Sequence, residues 1–495
     1  MSLSGALSLA QSALHTTAAQ TALISKNIAN VSNPDYSRET ATSITTSGGG
    51  STTGPTQRAA SSALLTALLS AQSASSSAQA ISGGISQISS ALGLDSASST
   101  DGTAATDNSP ATAIGTLSNA LQAYANDPSE PSLATAAVAA AQGLASNLNQ
   151  ASSNVQQVRT QADSAMAASV ATINSLLGQF QTVNTAIVTG TAAGQNVSDA
   201  QDTRDGILKQ LSQQIGITTS TGADGGTSIY TDSGVTLFNI TAAKVSFAAT
   251  NTYTAATTGN PVTVNGVAIT GSSAVMPIAS GQLAGLATLR DTTTTAYQNQ
   301  LDQVASGLIS AFGDSGTSGT ATTLPGLFTS STTPGMPTNT TGLAATIAVN
   351  NAVNPNTGGT ATLLRDGINA GAGSAYSYNA SANAGYSTYL NSLVSALNQT
   401  RSFDATSGAS ASGSLASYAA SSVSWLEQQN QATSSAATYQ SSVVNAATTA
   451  LSNATGVNLD SEMSNMLEVE HAYQASAQLM NSVDAMYSAL IQAFN

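Results

Sequence analysis

Both ends of the chain carry the same heptad spacing, and a chain with an apolar seam at each terminus needs something to cover them. From Leu3 the small or apolar positions Leu7, Ala10, Leu14, Thr17, Thr21, Ile24, Ile28 and Val31 follow at alternating steps of four and three. Leu459, Met463, Met466, Tyr473, Ala477, Met480, Tyr487, Ile491 and Phe494 keep the same register at the other end. Such steps align one stripe along a helix, which predicts that the terminal helices pair as a coiled coil. The last segment has a second row, through Val469, Tyr473, Ser476, Met480, Val483, Tyr487, Leu490 and Phe494, so its apolar surface is wider than one partner covers. The expected assembly surface is Leu3, Leu7, Leu14, Ile24, Ile28, Val31, Leu459, Met463, Met466, Tyr473, Met480, Val483, Tyr487, Leu490 and Phe494.

What lies between is polar but hardly charged. Only 7% of the residues are charged, against roughly a quarter in ordinary domains, so Ser, Thr, Asn, Gln and Ala must cover the surface. Ten Lys and Arg in a chain of net charge −14 exclude nucleic acid, which needs clustered cations. The absence of cysteine removes disulfides, thiolate chemistry and Cys-bound metals. No basic segment leads into an apolar run with a small-residue cleavage site, and no stretch of eighteen apolar residues occurs. The expectation is a soluble protein without membrane insertion, exported, if at all, without a cleaved signal.

Pro34 drives Asn33 out of the helical region and ends the first helix after Val31. Gly48-Gly49-Gly50 makes a joint. Helical patterns run from Ala59 to Leu94 and from Ala111 to Ile215, with an acidic loop from Asp95 to Pro110 and breaks at Asn126-Asp127-Pro128 and around Gly190 to Gly194. At Gly216 the period changes. Runs at 228–231, 235–238 and 244–247 read as strands, and Val262 to Ile269 reads as two strands joined by Asn265-Gly266 in a type I′ turn. Helix returns over Gly281 to Phe312 and Tyr376 to Ala454, the latter with Trp425. The fold class is mainly α with a small β-rich insert, in an elongated, nested chain. A terminal helical domain takes 1–46 and 455–495, a helical body 47–216, 281–312 and 376–454, the β-rich insert 217–280, and a loop-rich insert 313–375.

Convergent titratable groups are scarce. His15 and His471 lie one on each terminal helix, and a metal or pH-switch reading is open to them, but neither has a third ligand at fixed spacing. The plain reading is two polar surface residues. No histidine in the body can serve a serine triad, and Glu130 is the one glutamate between Glu39 and Glu427, too few for paired carboxylates. Asp202-Thr203-Arg204-Asp205 reads as a helix opening capped by Asp202, with an Arg204 ion pair and Gly216 as its stop. Arg290-Asp291 looks equivalent. No catalytic, cofactor-binding or metal-binding residue is assigned, and an enzyme is not expected.

The run Asn27-Ile28-Ala29-Asn30-Val31-Ser32-Asn33-Pro34-Asp35-Tyr36 resembles the Asn-Ile-Ala-Asn, Thr-Pro-Gly-Tyr signature of bacterial flagellar rod, hook and hook-associated proteins, the axial family. Ser37-Arg38 is similar to the hook-associated members at the hook-filament junction. Gly456-Val457-Asn458-Leu459-Asp460-Ser461-Glu462-Met463 and Ala472-Tyr473-Gln474-Ala475 resemble that family's Gly-Val-Asn-Leu-Asp-Glu-Glu and Ala-Tyr-Gln-Ala blocks. The motif positions are Asn27, Asn30, Pro34, Tyr36, Gly456, Asn458, Asp460 and Tyr473. Asp35 stands where glycine is usual, and a positive φ there would cost an L-residue. The resemblance implies a structural junction adaptor that joins hook to filament by polymerising through its terminal helices. It also implies self-association into a ring, contact with the hook protein and a second junction protein, and an export chaperone on the C-terminal helix. The place implied is extracellular, on the flagellum, reached by type III export, with 313–375 standing in for a larger outer domain. A hook protein or flagellin-like subunit is the alternative within the family. A secreted surface adhesin and a peptidoglycan hydrolase are the alternatives outside it.

Overall fold

Pro131 fixes the first turn of a helix that runs unbroken to Ala192, 62 residues and about 93 Å at 1.5 Å per residue. No further proline interrupts it. One face carries Ala134, Val138, Ala141, Leu148, Val155, Met166, Ile173, Leu177, Phe180 and Ile187, all buried, so apolar contacts hold it along its whole length. A computed structural model describes residues 3–47, 50–94, 107–318, 321–332, 335–371 and 373–494. Gly48 and Gly49 of the joint, residues 95–106 of the acidic loop and the Phe494 side chain lie outside the described residues.

The helices are α1 (Leu3–Ala29), α2 (Ser62–Ala91), α3 (Pro110–Asn126), α4 (Pro131–Ala192), α5 (Ser198–Gln214), α6 (Gln282–Thr288), α7 (Thr294–Ala311), α8 (Leu343–Thr346), α9 (Leu363–Asp366), α10 (Thr388–Asn398), α11 (Leu415–Thr455) and α12 (Leu459–Phe494). α2, α3 and α5 to α8 pack on α4, while the long α11 lies along α2 and touches α3 and α7. One continuous hydrophobic core runs through them, with Trp425 of α11 stacked on Tyr297 of α7 at 6.4 Å. The first helix ends at Ala29 rather than after Val31, because Asn30, Val31 and Asn33 take three-residue turn hydrogen bonds back to the Asn27, Ile28 and Asn30 carbonyls.

The strands are short and antiparallel. β1 (Glu39–Thr40) pairs with β4 (Gln57–Arg58), and β2 (Ser43–Thr45) with β3 (Ser51–Thr53). β5 (Ile217–Thr221), β6 (Thr227–Thr231) and β7 (Thr236–Phe238) form one sheet, and β8 (Val245–Ser246), β9 (Thr263–Val264) and β10 (Val267–Ala268) another. Asn265 and Gly266 take φ of 48° and 86°, as a type I′ turn demands. β5 escapes the sequence reading, since Ile217 is its single apolar residue and its order comes from pairing with β6. Polar residues of α4 close the sheet edges. Asn174 both accepts from Val245 N and donates to Val245 O, Asn184 accepts from Thr227 N and Gln181 from Ala242 N.

The described residues of 313–375, unassigned in secondary structure by the sequence, lie against the body. β11 (Phe328–Ser330) pairs with β12 (Ile347–Val349), and Leu327, Phe328, Leu343, Leu364 and Ile368 enter the common core. β13 (Arg401–Ser402) and β14 (Ser412–Gly413) close the loop before α11.

Two expected junctions differ from their reading. α5 opens at Ser198, a turn before Asp202, so Asp202 is not a cap and its carboxylate is free for other partners. Arg290, fully buried in a wider turn at Leu289–Thr293, reaches Asp163 of α4 at 2.6 Å and the Asn260 carbonyl at 2.9 Å. It therefore fastens the β-rich segment to α4. Gly259 must stay glycine there, because a Cβ would stand 2.3 Å from the Arg290 guanidinium carbon.

Candidate assembly site at the paired termini

α1 and α12 lie side by side, and Asn27 near the end of α1 meets Glu462 near the start of α12, so the pair is antiparallel. Along α1, Ala10, Thr17 and Ile24 are buried and Leu3, Leu7, Leu14, Thr21 and Ile28 half-buried, while Val31 is exposed in the turn beyond. The face of α12 toward α1 combines Met466 of the first row with Val469, Ser476, Met480, Val483 and Tyr487 of the second: Val483 is buried and the others half-buried, whereas Tyr473 and Leu490 of that second row are exposed. Leu459, Met463, Leu467, Tyr473, Leu479, Met486, Leu490 and Ile491 stay exposed, between 43% and 61%. They make up eight of the fifteen large apolar side chains exposed among the described residues, which concentrates uncovered apolar surface on one helix. His15 and His471 are both exposed.

At the base of the pair the motif residues form a polar clamp. The Asn27 side chain donates to the Glu39 carbonyl at 2.9 Å and to Glu462 Oε2 at 3.1 Å, and accepts from Tyr36 Oη at 2.7 Å and Glu39 N at 3.1 Å. Its amide is thereby saturated while 1% exposed. Arg38 Nε reaches Glu462 Oε1 at 2.5 Å, and Arg38 N donates to the Thr455 carbonyl at the end of α11. Lys26 bridges the buried Glu39 and the exposed Asp199 of α5, each at 2.8 Å. Burial works against the Lys26 charge, but those carboxylates outweigh it and hold its pKa above the ordinary lysine range. Burial, then the Glu39 carboxylate, push the Tyr36 phenol up to about 12, so it remains a donor.

A second layer ties this clamp to the body. Asp202 accepts from Ser37 N at 3.1 Å and from Arg58 Nε at 2.6 Å, and Arg58 also binds Asp205. Arg204 has a looser contact, 3.7 Å from Asp205, and donates to the Gly225 carbonyl. Asp35 has no positive φ; its carboxylate instead takes Lys209 at 2.9 Å, which gives that side chain a use glycine lacks. Asn30 donates to the Lys26 carbonyl, and Asn458 caps α12 by accepting from Ser461 N. Asp460 lies in the first turn of α12, beside its positive end.

The family profile described as "Flagellar hook-associated protein FlgK helical domain" matches residues 100–326, and that described as "Flagellar basal body rod FlgEFG protein C-terminal" matches residues 450–493. The chain belongs to the flagellar hook-associated protein family. Among solved structures it is similar to the flagellar hook junction protein FlgK from Burkholderia pseudomallei, with 23% identity over 54% of this chain and a TM-score of 0.42. The similarity covers 46% of that protein, so the chain matches less than half of it. No curated protein matches the chain.

In this hook-associated protein the sequence signal pointed to Asn27, Tyr36 and Asn458 but not to the charged partners Lys26, Glu39, Arg58, Asp199 and Glu462. Glu462 had a readable signal: with Met466 and Val469 it falls on the inner face of α12, where a carboxylate among apolar neighbours needs a cation.

Proposed function

We propose that the chain is a structural subunit of the bacterial flagellum that joins hook to filament by polymerising through its terminal helices, with no catalytic role. The observation that carries this reading is the set of exposed apolar side chains on α12, Leu459 through Ile491, on a helix whose inner face is already closed by α1. A two-helix arm that leaves one face uncovered has a place for a neighbour. In this reading 1–46 with 455–495 are the assembly arm, and 47–216, 281–312 and 376–454 the body. The segments 217–280 and 313–375 are then its inserts. The assembly surface comprises the residues named from the heptad spacing, Phe494 included. The partners are further copies in a ring, the hook protein, a second junction protein, and before export a chaperone on α12. The protein works outside the cell, on the flagellum; no helix among the described residues is long and apolar enough to cross a membrane.

Immunogold labelling of isolated hook-basal bodies, with and without filament, tests the location. A single band of label at the distal end of the hook is expected in both preparations. Label along the hook or along the filament would transfer the chain to another axial role, and label on the cell body alone would end the flagellar reading.

A further inference from the structure

Asn265-Gly266 is the one Asn-Gly pair of the chain, and the fold leaves it open to attack by its own backbone. Both residues are exposed at the tip of the β9–β10 hairpin. Asn265 Oδ1 accepts from Lys244 N at 3.0 Å, and Asn265 N donates to the Lys244 carbonyl, also at 3.0 Å. The Gly266 N–H has no hydrogen-bond partner among the described residues, and a glycine carries no Cβ to shield its nitrogen. The Asn-Ser pairs are closed by comparison. Ser175, Ser392 and Ser482 lie inside α4, α10 and α12, where each N–H is spent on the carbonyl four residues back. Ser109 N, outside a helix, donates to Asp107 Oδ1 at 2.8 Å.

We propose that Asn265 is a site of spontaneous covalent modification, at which the folded chain deamidates and isomerises its own backbone. The Gly266 nitrogen gives up its proton and bonds to Asn265 Cγ, the Cγ–Nδ2 bond breaks, and ammonia leaves with that proton. A five-membered cyclic imide remains. On the way to it negative charge develops on Oδ1, where the Lys244 N–H already stands as a donor, in the manner of an oxyanion hole. Water then opens the imide. Attack at Cγ gives aspartate, and attack at the main-chain carbonyl gives isoaspartate, through whose Cγ the chain now runs. The sum is one water consumed and one ammonia released. Isoaspartate adds a backbone carbon to a two-residue turn whose φ of 48° and 86° suit type I′ and little else. It therefore undoes the paired bonds to Lys244 that hold the turn against β8, and the β8–β9–β10 sheet loosens as the protein ages.

Peptide mapping by mass spectrometry, with fragmentation that separates aspartate from isoaspartate, tests this on the full-length protein stored warm at neutral pH, natively and in urea. In the native protein the peptide carrying Asn265 should gain the mass of an amide-to-acid change about a hundredfold sooner than the peptide carrying Asn108, the scale of one oxyanion donor. Both aspartate and isoaspartate should be found at 265. Conversion in urea with none in the native protein would show that the turn shields its own bond, and would overturn the proposal. A native protein in which Asn108 converts first would do the same. Asn265→Gly keeps residues suited to a type I′ turn and removes the amide. Hydrogen exchange at 244–246 should quicken with storage in the wild type and hold its starting value in that variant; equal quickening in both would overturn the link between the modification and the sheet.

Discussion

At the scale of single residues the site is an argument about donors and acceptors. Asn27 could be read from the sequence as a motif position, but its role depends on Glu462, a contact no local pattern encodes. Tyr36 was legible in the same partial way: a tyrosine after a turn, whose hydroxyl reaches the Asn27 oxygen at 2.7 Å. Tyr36→Phe removes that bond and should destabilise the terminal pair by about 1–2 kcal/mol. The pH dependence has a definite sign. An unfolded tyrosine loses its proton near pH 10, whereas the folded Tyr36 keeps it to about 12. Between those values the folded state binds more protons, so stability falls as pH rises through about 10 to 12, by up to about 3 kcal/mol. Lys26, also raised, acts in the same direction. Urea midpoints followed by circular dichroism should show this slope in the wild type and a shallower one in Tyr36→Phe.

At the scale of elements, the sequence marks helix ends where proline and glycine act. Asn126-Asp127-Pro128 separates α3 from α4, and Gly194, at φ 67°, follows the end of α4. The stretch 313–375 was illegible because its three- to four-residue pieces are held by distant partners, as Asp314 is by Asn369 and Tyr378. Close approaches are equally hidden. A Cβ on Gly285 would meet the Ser77 carbonyl at 2.4 Å and its Cα at 2.9 Å, backbone atoms that cannot move aside. Gly285→Ala should therefore push α6 off α2 and cost about 1–3 kcal/mol, measurable as a lower thermal midpoint with the helical signal kept. On α12 the half-buried and the exposed apolar side chains should separate by substitution. Met480→Asp puts a charge against α1 and should raise hydrogen exchange along both terminal helices, whereas Leu490→Asp, on a side chain 50% exposed, should leave that exchange unchanged.

At the scale of the whole molecule, charge and apolar surface divide the work. The cations are largely committed inside the chain, to Asp163, Asp202, Asp205, Glu39 and Glu462 among others, while the net charge is −14. Copies of such a chain repel at long range and can hold one another only through neutral faces. Self-association followed by sedimentation should therefore strengthen as salt rises from low to physiological, and dissolution by that salt would place charge pairs, not the apolar side chains of α12, at the contact. The central claim is that the exposed apolar side chains of α12, Leu490 among them, lie on the assembly surface. The most direct measurement is filament attachment, scored by electron microscopy, in cells whose only copy of this protein carries Leu490→Asp. Secreted, folded protein at wild-type level with hooks that bear no filament is the predicted result. Hooks bearing normal filaments at that same protein level would contradict it.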